Sequence, residues 1–171
     1  MKLIVTGGAS GLGEALMRRL GGHEVWVLDR ATPAALANGH RYIAADLSDP
    51  ASIESALAAL PACIDGVVNV AGIAAAEDPK TVLAVNFLGL RLLSEALVPR
   101  FEGRGRIVNV SSIAGRDWKA KHDRLRPLLE TASWAEGMAW CAEHEAAFAQ
   151  LQGALGLDQR KQRVGEDEQA R

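Results

Sequence analysis

The sequence predicts an α/β protein built on a doubly wound parallel sheet. Three observations carry that reading: short apolar runs alternate with longer helix-period segments, the first run opens into a glycine-rich turn, and two Asp-Pro pairs mark helix starts between later runs. The expected strands are Leu3 to Val5, Glu24 to Leu28, Arg41 to Ala44, Gly66 to Val70 and Arg106 to Val110. Helical periodicity fills Leu12 to Leu20. Asp49-Pro50 and Asp78-Pro79 each join an N-cap acceptor to a proline, whose missing N–H has no partner in a first helical turn anyway. The helix that starts at Pro79 carries Val82, Val85, Leu88 and Leu92 on one stripe and is expected to end before Gly103 and Gly105. Right-handed crossovers then complete the doubly wound arrangement. From about Trp118 to Gln152 the chain is helix-prone, and two helices are expected.

At 171 residues, with 49% hydrophobic and 23% charged residues, the chain suits one domain with a buried core. Those fractions exclude disordered, collagen-like and disulfide-framework classes. The weakly polar run Ile64 to Ala76 is broken by Asp65 and Asn69 and falls short of a membrane span of roughly 20 apolar residues. The apolar start, Met1 to Val5, is too short for a signal-peptide core, so a cytoplasmic location is expected, with Cys63 and Cys141 reduced and packed. A net charge of -2 with no Lys/Arg cluster excludes a nucleic-acid footprint. Cys141 and His144 have a spacing a metal could use, but no second pair accompanies them, and no metal is expected.

The strongest local signal is Thr6-Gly7-Gly8-Ala9-Ser10-Gly11-Leu12-Gly13, which leaves a strand and opens a helix. Such glycines permit a tight turn and bring backbone N–H groups close to a pyrophosphate. Asp29 separates this from an ordinary glycine-rich loop: it closes the second strand 22 residues after Gly7, where a carboxylate accepts from ribose hydroxyls. The same carboxylate repels a 2′-phosphate, so NAD is favoured over NADP, with the neighbouring Arg30 pulling the other way. No lysine follows in the order of an ATP-type phosphate loop.

Thr6-Gly7-x-x-x-Gly11-x-Gly13 resembles the turn of the short-chain dehydrogenase/reductase family, a Rossmann-type fold, and further family-like motifs follow in order. Asp46-Leu47 looks like the pair that contacts adenine. Asn69-Val70-Ala71-Gly72 is similar to the motif that shapes the central strand beside the cofactor. Asn86 matches the asparagine that supports a proton-relay water, and Ser112 the catalytic serine after the fifth strand. The subgroup it resembles most is that of bacterial 3α-hydroxysteroid dehydrogenase/carbonyl reductase and coniferyl-alcohol dehydrogenase, whose members carry a helical insertion after the serine strand. The resemblance implies residues 1–115 as a dinucleotide-binding part and 116–152 as the insertion, followed by a tail, 153–171, whose composition cannot order itself. It also implies hydride transfer between a nicotinamide and a small alcohol or carbonyl substrate. A sheet that stops at its fifth strand leaves a hydrogen-bonding edge, which predicts low stability, aggregation or an unusual homo-oligomer.

The family's chemistry uses a tyrosine as general acid/base and a lysine four residues later. A phenol near pKa 10 is a poor base at neutral pH until a cation stabilises its phenolate. No Tyr-x-x-x-Lys follows Ser112 here; the sole tyrosine is Tyr42, on the third expected strand, and the position four residues before Lys161 is Leu157. No sixth strand with a proline-glycine turn is recognisable. The expectation is a fold incomplete after its fifth strand, through a frameshift or premature end, and an impaired catalyst. A non-catalytic dinucleotide-binding or interaction module is the alternative.

Overall fold

The computed structural model describes residues 1–74, 78–115 and 118–144. Five parallel strands form one sheet in the order β3-β2-β1-β4-β5. They are β1 (Lys2–Thr6), β2 (Glu24–Asp29), β3 (His40–Ala44), β4 (Ile64–Asn69) and β5 (Phe101–Asn109). The order reverses direction at β1, so the loops leaving β1 and β4 diverge and open a crevice at the carboxyl edge of the sheet.

Period-2 alternation along the central strands feeds two cores, one on each face. Ile4 and Leu28 join Ile53, Val67, Leu93 and Leu97 on one side. Val5, Val25 and Val27 pack with Met17 of α1 (Gly11–Met17) on the other. Ile4, Val5, Val25, Val27, Ile53, Leu93 and Leu97 are fully buried, and each such side chain contributes about 1.5–3 kcal/mol of transfer free energy. Both Asp-Pro starts are capped helices. Asp49 accepts from the Ala51 N–H at the head of α2 (Pro50–Ala59), and Asp78 from the Thr81 N–H at the head of α3 (Pro79–Leu83).

Beyond α3 the helix widens into a π-helical turn, Ala84–Gly89, and then resumes as α4 (Leu90–Leu97). The extra residue in that turn shifts the helix's phase. Leu83, Val85, Leu88, Leu93 and Leu97 are therefore the buried stripe, whereas Val82 and Leu92 of the expected stripe are only partly covered. The stretch Pro79–Arg100 is long and apolar enough to span a membrane by length and composition, yet its leucines pack into the core as those of a central helix do. The helix does end before the glycines, but β5 starts earlier than the apolar run suggests. Gly103 and Gly105 lie inside it, where a register shift between Ile64 and Gly66 accommodates Gly103 at φ +65°.

After β5, α5 (Trp118–Leu129) and a helix over 134–144, α6, pack Leu128, Trp140 and Cys141 against Leu83 and Leu88. His144 stacks on Trp140 and donates from Nδ1 to its carbonyl. The end of the expected insertion and the 153–171 tail lie outside the described residues.

Candidate functional site

The glycine turn is fastened to the strands on both sides of it. The Gly7 N–H donates to the Leu28 carbonyl at 2.8 Å. On the other side, the buried Thr6 hydroxyl oxygen accepts from the N–H groups of Val70 and Ala71 at 3.2 and 3.1 Å. Gly7 holds φ +72°, and a Cβ there would come within 2.6 Å of the Ala71 backbone. Only glycine allows that conformation and that approach together. A Cβ on Gly13 would overlap the Gly7 carbonyl oxygen, so the first turn of α1 closes directly over the loop.

Asp29 is the acidic end of this arrangement. One carboxylate oxygen accepts from the Ala9 N–H in the glycine turn at 2.9 Å, the other from the Ala31 N–H at 3.0 Å. The carboxylate is thereby held at the tip of β2, with lone pairs still directed outward. Just past the end of the neighbouring β3, Asp46 accepts from the Ser48 N–H at 2.8 Å and the Ser48 hydroxyl at 2.6 Å. Burial pushes its pKa up, but the two Ser48 hydrogen bonds and the Arg30 charge outweigh that and hold the carboxyl below its ordinary range. Asp46 is therefore a fixed anion at neutral pH.

Behind the crevice, buried Asn69 ties β4 to its neighbours: its amide donates to Asn109 Oδ1 at 2.8 Å and to Ser94 Oγ at 3.1 Å. Its own Oδ1 is buried without a hydrogen-bond partner among the described residues. Asn86 sits in the π-helical turn and clamps the loop after β4 at both ends of its amide. Oδ1 accepts from the Ile73 N–H and Nδ2 donates to the Ile73 carbonyl, each at 2.9 Å. The Val110 N–H donates to the Asn69 carbonyl at 2.9 Å, which carries the chain end of β5 to the rim; Ser112 follows two residues on and is exposed.

These elements enclose a cleft of about 420 Å³. Of the sequence-predicted residues, Gly7, Ser10, Gly11, Leu12 and Gly13 of the turn, Asp29 and Arg30 after β2, Asp46 and Leu47 after β3, and Ala71 and Gly72 after β4 line it. Thr6 and Asn69 stand behind it as supports, and Asn86 and Ser112 are outside its lining. Leu28, Ala45, Val70, Ile73, Val85 and Val110 complete the walls. Sequence reasoning missed these because apolar residues at strand ends, in loops and on a helix carry no chemical signature. The volume falls within the range of small-molecule sites. The lining combines the charged Asp29, Arg30 and Asp46 with apolar strand-end and loop residues.

The pattern of short chain dehydrogenases matches residues 2–122. The chain belongs to the short-chain dehydrogenase/reductase family. Enzymes of this family use NAD(P) and act on small alcohols or carbonyl compounds. Coniferyl-alcohol dehydrogenase of Pseudomonas sp. (strain HR199 / DSM 7063) is 38% identical over 148 residues, which make up 85% of this chain and 57% of that protein. The NADP-dependent 3-hydroxy acid dehydrogenase of Salmonella typhi is 34% identical over 137 residues, covering 67% of this chain and 55% of that protein. Among solved structures, 3-alpha-hydroxysteroid dehydrogenase from Pseudomonas sp. B-0831, complexed with NADH, superposes with a TM-score of 0.63 at 30% identity. That match spans 91% of this chain and 57% of the enzyme. This short-chain dehydrogenase/reductase chain thus spans little more than half the length of these relatives.

Proposed function

We propose that this chain is the cofactor-binding part of an NAD-dependent alcohol/carbonyl oxidoreductase and binds NAD in the cleft. The observation that carries this reading is Asp29, whose carboxylate is fixed by the amides of Ala9 and Ala31 at the end of the cleft. Held there, it accepts from both ribose hydroxyls and disfavours a 2′-phosphate, so NAD is preferred and NADP binds more weakly. The N–H groups of Ser10 to Gly13 face the pyrophosphate, with Asp46 and Leu47 beside the adenine and Ala71 and Gly72 along the path toward the nicotinamide. The close backbone approaches at Gly7 and Gly13 support this fit, since a Cβ at either would occupy the space the turn needs.

Bound NAD supplies a hydride acceptor at its nicotinamide. The chain's own residues bind and orient: Ser112 is assigned to hold the substrate oxygen, and Asn86 to fix the loop after β4 through its paired bonds to Ile73. Within the 171 residues no Tyr-x-x-x-Lys follows Ser112. The single tyrosine, Tyr42, lies on β3 with its hydroxyl directed at the carbonyls of Asp29 and Arg30. Loss of a general acid/base typically costs about 10²- to 10⁴-fold in rate, so the 171-residue chain is expected to bind NAD and turn over little. A cytoplasmic location is part of this reading, in keeping with Cys63 and Cys141 forming no disulfide among the described residues.

Titration calorimetry with NAD and NADP, together with absorbance at the reduced-nicotinamide band on a panel of primary and secondary alcohols, tests both halves. Saturable binding stronger for NAD than for NADP, without reduction, is the expected result and favours a non-catalytic binding module for this chain. Reduction of NAD would require a different acid/base, and absence of binding would remove the proposal altogether.

A further inference from the structure

Tyr42 is the residue that the family's chemistry leaves over, and the structure gives it a different task. It lies on β3 opposite Val27 of β2 and is half-buried. Its hydroxyl reaches along the strand direction to the Asp29 carbonyl at 3.2 Å and the Arg30 carbonyl at 3.4 Å. One phenolic proton is shared between these two acceptors. The β2–β3 ladder ends at the pair Asp29 and Ala44, so Arg30 lies past the last strand pairing. The Asp29 carbonyl also accepts from the Ala45 N–H at 3.0 Å, and its carboxylate holds Ala9 and Ala31. Tyr42 adds the Arg30 carbonyl to that set, so that the peptide joining Asp29 to Arg30 is held at its own carbonyl and at the one that follows.

This peptide carries the two opposite charges that judge a ribose. The Asp29 carboxylate favours a 2′,3′-diol, and the Arg30 guanidinium would favour a 2′-phosphate. Both line the cleft, and the Arg30 charge already acts on Asp46, which lines it too. Which of them faces the 2′ position depends on the orientation of the backbone between them. We propose that Tyr42 is a positioning residue that fixes the Asp29–Arg30 peptide and so sets the choice between a ribose 2′-hydroxyl and a 2′-phosphate.

The inference rests on the dinucleotide reading for its ligand, and its test separates the two. Tyr42→Phe removes the hydroxyl and keeps the ring. NAD and NADP are titrated calorimetrically into the full chain and into the variant. The expected result is a loss of about two- to tenfold in NAD affinity, with NADP affinity unchanged or improved, so the NAD-to-NADP ratio narrows by a similar factor. A residue with only a structural part would weaken both ligands in proportion. An unchanged ratio in a variant that still binds overturns the proposal, whereas failure of the parent chain to bind either ligand overturns the dinucleotide reading and the ligand half of this one. Hydrogen exchange on the ligand-free proteins decides the clamp independently. The amides of Arg30 and Ala31 are expected to exchange faster in Tyr42→Phe while those of β1 and β4 keep their rates, and equal exchange at Arg30 and Ala31 overturns it.

Discussion

Gly13 and Gly21 differ by what surrounds them, and the difference measures how tightly the nucleotide turn is built. A Cβ on Gly13 would overlap the Gly7 carbonyl oxygen, with the Gly8 Cα at 3.0 Å. Both obstacles are backbone, so relief requires the turn itself to move. Nothing lies within 4 Å of a Cβ on Gly21. Gly13→Ala is therefore expected to cost about 1–3 kcal/mol, as overpacking does, and to lose NAD binding. Gly21→Ala should stay within about 0.5 kcal/mol, as open surface positions do. Urea unfolding of the two variants decides, and similar losses in both would contradict the packing argument. The glycine spacing and Asp29 were readable in the sequence because each residue type there answers to backbone geometry. Tyr42 was not, because its reach depends on which residue of β2 it pairs with, and registers do not show in a single strand's pattern. The paired bonds of Asn86 to Ile73 were hidden for a similar reason, since they join a helix to a loop 13 residues away.

Helix starts and strands were more legible than helix interiors. Asp-Pro writes two independent signals at one place, an acceptor for orphan N–H groups and a residue that needs none, and both such pairs head helices. All five strands stand within a few residues of their apolar runs, except that β5 reaches back to Phe101 through two glycines that composition alone assigns to a turn. The phase of the Pro79 helix was not legible. A periodicity of 3.6 assumes regular hydrogen bonding, and the π-helical turn at Ala84–Gly89 carries one more residue than that period allows. Asp78 offers a test at this scale. The Thr81 backbone N–H, and then the Thr81 hydroxyl, bind the ionised carboxylate and hold it below its ordinary 3.8. A lowered folded value stabilises fully above the ordinary value, and the contribution disappears as pH falls through the lowered one. Asp78→Asn keeps an uncharged cap acceptor. The parent chain should thus be the more stable at neutral pH, and its lead over the variant should shrink as pH falls below about 4. Urea midpoints at neutral pH and near pH 3 test this, and a lead equal at both would show that the charge of the cap contributes nothing.

At the scale of the whole molecule the sheet has two edges of unequal character. On one side β3 ends the sheet with His40, Arg41 and Tyr42, and Arg41 is placed over the Trp26 ring and 3.6 Å from Glu24. Charge at an edge discourages pairing with another chain. On the other side, among the described residues, β5 pairs only with β4, and its apolar residues are open: Ile107 is 37% exposed, Val108 52% and Val110 44%, with Ile113 beyond them at 76%. Ile107 and Val108 are consecutive and therefore point to opposite faces, so apolar surface is exposed on both sides of this edge among the described residues. An exposed, apolar edge strand presents unpaired backbone groups beside hydrophobic surface, and the partner most available to it in solution is the same strand of a second copy. The 171-residue chain is accordingly expected to self-associate through β5 at micromolar concentration. Val108→Lys places a charge on that edge while leaving the β4 pairing in place, because the ladder uses the backbone of residue 108 and not its side chain. Sedimentation velocity should show the parent chain as dimers or larger species and Val108→Lys shifted toward monomer, with NAD affinity unaltered because Val108 lies outside the cleft lining. A parent chain that sediments as a monomer at tens of micromolar, or a variant that associates just as strongly, would remove β5 as the associating surface.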